Sequence, residues 1–396
     1  MPIEKSISNR VWVFVSSFLY LLIIFARDWK AINRIGADTG YTYVPDAVNG
    51  NLSVLLKPFP EYFEISGRAT AEIVALFPIR YHAIASSSVV NLTWVALALF
   101  IFAMIYQETN NRVLASGAGL VLIVIPHAME SSLGNIGMIK FPLTAAVAIA
   151  FCSSRAIIKY SKLITVVALL AGLSQPILFV TALPLIWFFR SQDRDLRRKV
   201  TTLLTVVFAT LIIQVLKVGV SAAARGRSGS RVMSLWPGMG LFWYSGIFFP
   251  IFFCLIIIIV NSLSPFRNSK YNELRFMLCA STIALSASSY ILGGIADRYF
   301  VAPMTLAWIC GLLLLHDFII VFNKLKIYAL AISLIFVVVP VTKWFEAGWF
   351  LTTGPTWTSE VDRGREICAT QLESEIELFV SPNSSAIVEC SQLIKK

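Results

Sequence analysis

The chain has 396 residues, 57% of them apolar and only 14% charged, with a mean hydropathy of +0.75. Soluble domains carry about 25% charged residues, so this composition excludes one and describes a polytopic membrane protein. The net charge of +11 comes with no basic stripe interleaved with aromatics. That excludes a nucleic-acid binder and leaves membrane topology and contact with anionic lipid as the origin of the charge.

Nine apolar runs predict membrane crossings, at about 11–26, 88–106, 113–127, 141–153, 200–217, 241–261, 276–292, 302–321 and 328–343. The first has Lys5 and Arg10 ahead of it and Arg27, Asp28, Trp29 and Lys30 behind it, with no small-residue cleavage site. It therefore reads as a retained anchor rather than a signal peptide. The runs at 113–127 and 141–153 are short, as expected of helices that are tilted or border a water-filled cavity. A tenth apolar stretch, 163–189, lies between Arg155, Lys159 and Lys162 on one side and Arg190, Arg194, Arg197, Arg198 and Lys199 on the other. Basic clusters mark cytoplasmic loops, yet the stretch is long enough for only one crossing of about 20 residues. A re-entrant hairpin turning at Gly172, Ser174 and Pro176 resolves this, since a broken backbone is tolerated at membrane depth where protein shields it. Nine crossings from a cytoplasmic N-terminus place the C-terminus outside.

Two long outer segments remain: a first loop, 28–87, within a transmembrane domain of 1–343, and a tail, 344–396. The stretch GRATAEIVALFPIRYHA in the loop puts Ile73, Val74, Leu76, Phe77 and Tyr81 near one face, the pattern of an interfacial helix broken at Pro78. The tail, with Trp349, Trp357 and mixed charge, reads as a small folded cap. Cys368 and Cys390 are the only cysteines in the outer segments, and in an oxidising compartment such a pair forms a staple. The overall expectation is an all-α membrane fold with interfacial helices in the first outer loop and a periplasmic cap.

No phosphate-binding GxxxxGK[ST] loop, HExxH or GxSxG motif occurs, and His82, His127 and His316 are too scattered to suggest a metal site. Near the outer surface lie Asp28, Asp38, Asp46, Glu61, Glu64, Arg68, Glu130, Lys140, Arg225, Arg227, Arg231, Asp297 and Arg298. Charges at the border of a cavity-forming membrane protein are candidates for function. Sugar transfer from a polyprenyl phosphate would use such a set: one carboxylate takes the proton of an acceptor hydroxyl, and cations stabilise the departing phosphate. No cofactor or metal is needed for that chemistry.

The arrangement resembles the GT-C class of membrane glycosyltransferases, and within it the bacterial and phage-borne serotype-converting O-antigen glucosyltransferases. The likeness spans the topology of nearly the whole chain. At residue level it rests on YVPDAVNGN and PFPEYFEISGRATAEIVALFP in the first loop, MESSLGN at 129–135 and IADRYFVAP at 295–303. It implies a bacterial inner-membrane enzyme that moves one sugar, glucose, from an undecaprenyl-phosphate donor to lipid-linked lipopolysaccharide O-antigen at the periplasmic face. It also implies a first-loop base, for which Asp28, Asp46 and Glu61 are the candidates; Asp46, in the most family-like block, is preferred. Arg68, Glu130, Asn135, Lys140, Arg225, Arg227, Asp297, Arg298 and Tyr299 are the expected substrate contacts. A flippase for lipid-linked oligosaccharide, or an O-antigen polymerase or ligase, stays open as an alternative.

Overall fold

The computed structural model describes residues 2–36, 39–49, 52–57, 63–125, 134–218, 248–293, 297–322, 354–370, 374–380 and 384–394. The predicted crossing at 328–343 lies outside them, as does the first part of 241–261. The helices, in chain order, are α1 (Pro2–Asp28), α2 (Val44–Asn49), α3 (Ile65–Ala75), α4 (His82–Thr109), α5 (Arg112–Val124), α6 (Lys140–Phe151), α7 (Ser154–Gly172), α8 (Leu183–Phe188) and α9 (Arg194–Val218). After these come α10 (Phe248–Ser262), α11 (Ser264–Arg267), α12 (Asn272–Gly293), α13 (Val301–Val321) and α14 (Trp357–Thr370). Strands β1 (Glu375–Val380) and β2 (Ser384–Glu389) and a last helix, α15 (Cys390–Ile394), close the chain. Among the described residues four helical stretches are long and apolar enough to cross a membrane: Arg10–Asp28, Ile79–Thr109, Arg194–Leu216 and Val301–Val321.

Local chemistry sets the breaks between helices. Asn110, at φ 51°, ends α4 in the left-handed region that asparagine tolerates. Asn111 then caps α5 by accepting from the backbone N–H groups of Val113 and Leu114, so two asparagines make the tight turn between α4 and α5. α6 is buried along its whole length and packs against α4, α7 and α13, which makes it the central helix of the bundle. Its alternation of small and large residues, KFPLTAAVAIAF, admits neighbours on every side.

The 163–189 stretch folds as the second half of α7, a break, a 3-10 turn over Pro176–Ala182, and α8. A Cβ on Gly172 would collide with Thr210 of α9, so the backbone turns where only glycine fits. The turn is pinned from outside: Leu173 O accepts from Ile65 N at 3.3 Å, Ser174 Oγ from Ser66 N at 3.0 Å, and Gly172 O from the Gln214 side chain at 3.0 Å. At the other end of α7, Arg155 N donates to Glu108 and Lys159 Nζ to Gln107, while Lys199 of α9 reaches Ile158 O.

The tail corrects the all-α expectation. β1 and β2 form an antiparallel pair with Leu378 opposite Ala386, and alternate residues of β1 are buried against α14. Its own core, built on Trp357, Val361, Leu378, Val380 and Leu393, includes Ile35 of the first loop and Ala83 of α4. Trp357 N donates to Asn33 O at 2.8 Å, its indole N–H to Ile79 O at 2.7 Å, and Arg80 pairs with Asp362 at 2.9 Å. A disulfide joins Cys368 to Cys390 across 5.5 Å between Cα atoms.

Candidate functional site

The site is strung along one short segment, Gly134 to Lys140, that leads into α6. At its start, Gly134 adopts φ +71°, and a Cβ there would lie 2.8 Å from Ser87 Oγ and 3.3 Å from Asp28 Oδ1. Only glycine lets the chain pass so close to the last residue of α1. Asp28 is 2% exposed; its Oδ2 accepts from Asn91 Nδ2 at 2.7 Å, and its Oδ1 has no hydrogen-bond partner among the described residues. Beside it Arg27, equally buried, donates to the carbonyls of Ile123 and Ile125 at the C-terminus of α5. That is the helix end where a cation is favoured, and it fixes the end of α1 in place.

Asn135 comes next. Its side chain accepts from Gly137 N at 3.1 Å, capping the 3-10 turn over Ile136–Met138, and from Thr39 Oγ1 at 3.0 Å, which ties the turn to the first loop. Lys140 ends the segment with its ammonium 3.0 Å from Glu64 Oε2. Glu64 is fully buried and also accepts from the Tyr43 hydroxyl. Tyr43 in turn lies under Arg68, 5.4 Å from its ring centroid. Arg68 is 2% exposed and donates to Asp46 at 2.6 Å and to Lys57 O at 3.1 Å. Lys57 closes the group with a second 2.6 Å contact to Asp46. Partial burial alone would raise the Asp46 carboxyl, but the hydrogen bonds and charges of Lys57 and Arg68 outweigh it and hold the group below its ordinary value.

Of the sequence candidates, then, Asp28, Asp46, Arg68, Asn135 and Lys140 come together around the first loop. Tyr299 joins them at the far side, its ring edge-on to Phe141 at 5.5 Å, next to Lys140. Asp297 and Arg298 share the 3-10 turn Asp297–Phe300 with Tyr299; their side chains, like Glu61, Glu130, Arg225 and Arg227, lie outside the described residues. Sequence reasoning missed Asn91, Ser87, Tyr43 and Thr39, and gave Glu64 no special weight. The signal for the first two was present, since Asn91 is an amide inside an apolar crossing, where polar groups are costly. Tyr43 and Thr39 carry no such mark.

No protein family matches the sequence, and no curated protein does. Solved structures do. The chain is similar to the archaeal oligosaccharyltransferase AglB from Archaeoglobus fulgidus, solved in complex with an inhibitory peptide and a dolichol-phosphate. The TM-score is 0.52 at 12% identity, covering 95% of this chain and 61% of that one. A second structure of the Archaeoglobus fulgidus oligosaccharyltransferase, in the apo form, gives 0.50 at 13% identity over 94% and 60%. At such identity the likeness shows the fold alone, a helical membrane fold shared with the archaeal oligosaccharyltransferase. The chain spans about three fifths of the length of these enzymes.

Proposed function

We propose that the chain is an inverting glycosyltransferase that moves one glucose from undecaprenyl phosphate to an O-antigen repeat at the periplasmic face of a bacterial inner membrane. The observation that carries this reading is Asp28, a buried carboxylate with one oxygen fixed by Asn91 and the other without a partner among the described residues. A general base needs that combination of orientation and a lone pair to receive a proton. Asp46 is the weaker base, because two cations already occupy its oxygens. In the reaction Asp28 takes the proton of the acceptor hydroxyl as its oxygen attacks C1 of the sugar. The C1–O bond to phosphate breaks from the opposite face, and the phosphate leaves with the electron pair. Arg68 and Lys140, each balanced by a carboxylate, flank the first-loop site, and Arg298, in the turn beside Tyr299, meets the leaving phosphate with Arg225 and Arg227 as further candidates. Arg makes bidentate phosphate contacts that Lys does not reproduce, so Arg298→Lys is expected to stay impaired in kcat.

In the membrane, 163–189 enters from the cytoplasm and returns to it, with its turn at 172–175 under the first loop, and the tail is periplasmic. Single cysteines at 161 and 191 are expected to resist labelling from outside intact cells; labelling of either sinks the hairpin. For the chemistry, sugar incorporation is measured with Asp28→Asn, Asp46→Asn and Glu61→Gln, each checked for expression. Asp28→Asn should lose transfer by about 10² to 10⁴-fold, the range for a general base, while still binding donor lipid. Near-normal transfer by that variant would remove the proposed base, and normal transfer by all three would favour the flippase reading.

A further inference from the structure

A second polar site lies at the opposite end of the bundle. The C-terminus of α4, the Asn110–Asn111 turn, the start of α5 and the loop before α12 surround a cleft of about 520 Å³. From Asn91, which holds Asp28, to Thr109 at the cleft is 18 residues of continuous helix, roughly 27 Å at 1.5 Å per residue. That is close to the roughly 30 Å of a hydrocarbon core, so the cleft sits at the other membrane interface and belongs to a different leaflet from the first-loop site.

The lining has a definite chemistry. It includes two cations, Arg112 and Lys270, and none of its ten residues is acidic. Lys270 lies 4.7 Å over the Tyr271 ring and donates to Thr109 O at 3.4 Å, but forms no ion pair among the described residues. The nearby carboxylate, Asp317, is taken up by Arg275 and Ser269. Trp12 adds half-buried aromatic surface of the kind that sits at headgroup level, while Tyr271 is buried beneath Lys270. At the rim, Val113 is 66% exposed, which leaves an apolar surface next to the polar cleft.

We propose that this cleft binds the phosphate headgroup of an anionic phospholipid, with Arg112 and Lys270 on the phosphate and the acyl chains running out past Val113. The shared chemistry, a phosphate on paired cations, would also suit a free anion. Trp12 and the apolar rim at Val113 favour the lipid, whose headgroup and chains contact both at once.

The test uses the full-length protein in phosphatidylcholine vesicles doped with photoactivatable phosphatidylglycerol, with cross-links mapped by peptide. Cross-links are expected on the peptides around 109–113 and 268–273. They should fall roughly tenfold to thirtyfold in Arg112→Gln/Lys270→Gln, two basic residues beside an anionic headgroup each contributing about one interfacial charge contact. The charge-keeping variant Arg112→Lys/Lys270→Arg should retain most of the labelling, which a collapsed cleft would not. Unchanged labelling in the double Gln variant overturns the proposal, as does equal labelling by a phosphatidylcholine probe. Displacement of the lipid by excess inorganic phosphate also overturns it, because the site would then belong to a soluble anion.

Discussion

Asp28 and Asp46 are carboxylates 18 positions apart whose surroundings give them opposite parts. Asp28 closes a helix whose end is held by Arg27, and the Asn91 amide aligns it, with the Ser87 hydroxyl alongside. Asp46 lies in the first turn of α2 and is spent on Lys57 and Arg68. Asn91→Ala is therefore expected to lower kcat about tenfold or more while leaving donor KM nearly unchanged, since it frees the rotamer of the proposed base without touching the lipid; a KM effect alone would argue against positioning. Asp46 makes a prediction about pH. Its folded-state pKa lies below its unfolded one, so its contribution is complete above about pH 4, the ordinary carboxylate value, and is lost as pH falls through the lowered folded value. Protection from hydrogen exchange over 44–57, taken relative to the intrinsic rate at each pH, should fall in that acid window and hold steady there in Asp46→Asn. Both aspartates were legible in the sequence as outer charges. Which of them was already neutralised was not, because Lys57 and Arg68 approach Asp46 only after α2 and α3 have folded against each other.

Among the elements, the turn after α7 carries the most information. Apolar length and basic flanks placed a break at Gly172, Ser174 and Pro176, and the helix does end at Gly172. What the sequence held no trace of was the partner: Leu173 and Ser174 accept from the first residues of α3, immediately after Glu64. Those hydrogen bonds join segments 108 residues apart, and no local pattern encodes such a distance. Gly172→Val is expected to destabilise the protein by about 1–3 kcal/mol through overpacking against Thr210. Thr210→Ala should recover part of that loss, and a thermal-shift cycle of the two single variants and the double variant checks the coupling. The tail's hairpin was missed for a different reason. EIELFV alternates as a strand should, but six residues among charged neighbours are easily absorbed into a helical cap.

On the scale of the whole molecule, the bundle and the tail meet through the first loop. Trp357 bonds to both Asn33 and Ile79, on the two flanks of the segment that holds Asp46, Glu64 and Arg68. The Cys368–Cys390 bridge, spanning 22 residues, ties α14 to α15 and should stabilise the tail by about 3 kcal/mol in the chain-entropy treatment. Cys368→Ser/Cys390→Ser is expected to make 354–394 sensitive to protease at temperatures where the oxidised form resists, with the bundle intact. Equal resistance of the two forms would assign the tail's order to its core alone.

That junction has a consequence for how the protein is made. The first loop emerges early from the ribosome, whereas the residues that brace it at Asn33 and Ile79 are synthesised more than 250 positions later. On the proposed orientation they must also cross the membrane before they can reach it. A nascent chain arrested ahead of Gly354 would thus present an inserted bundle and an unbraced loop, together with Asp28 already seated beside Asn91. On the proposed function, activity would switch on when the tail is exported rather than grow as helices accumulate, and the incomplete chain would stay inactive while still attached to the insertion machinery.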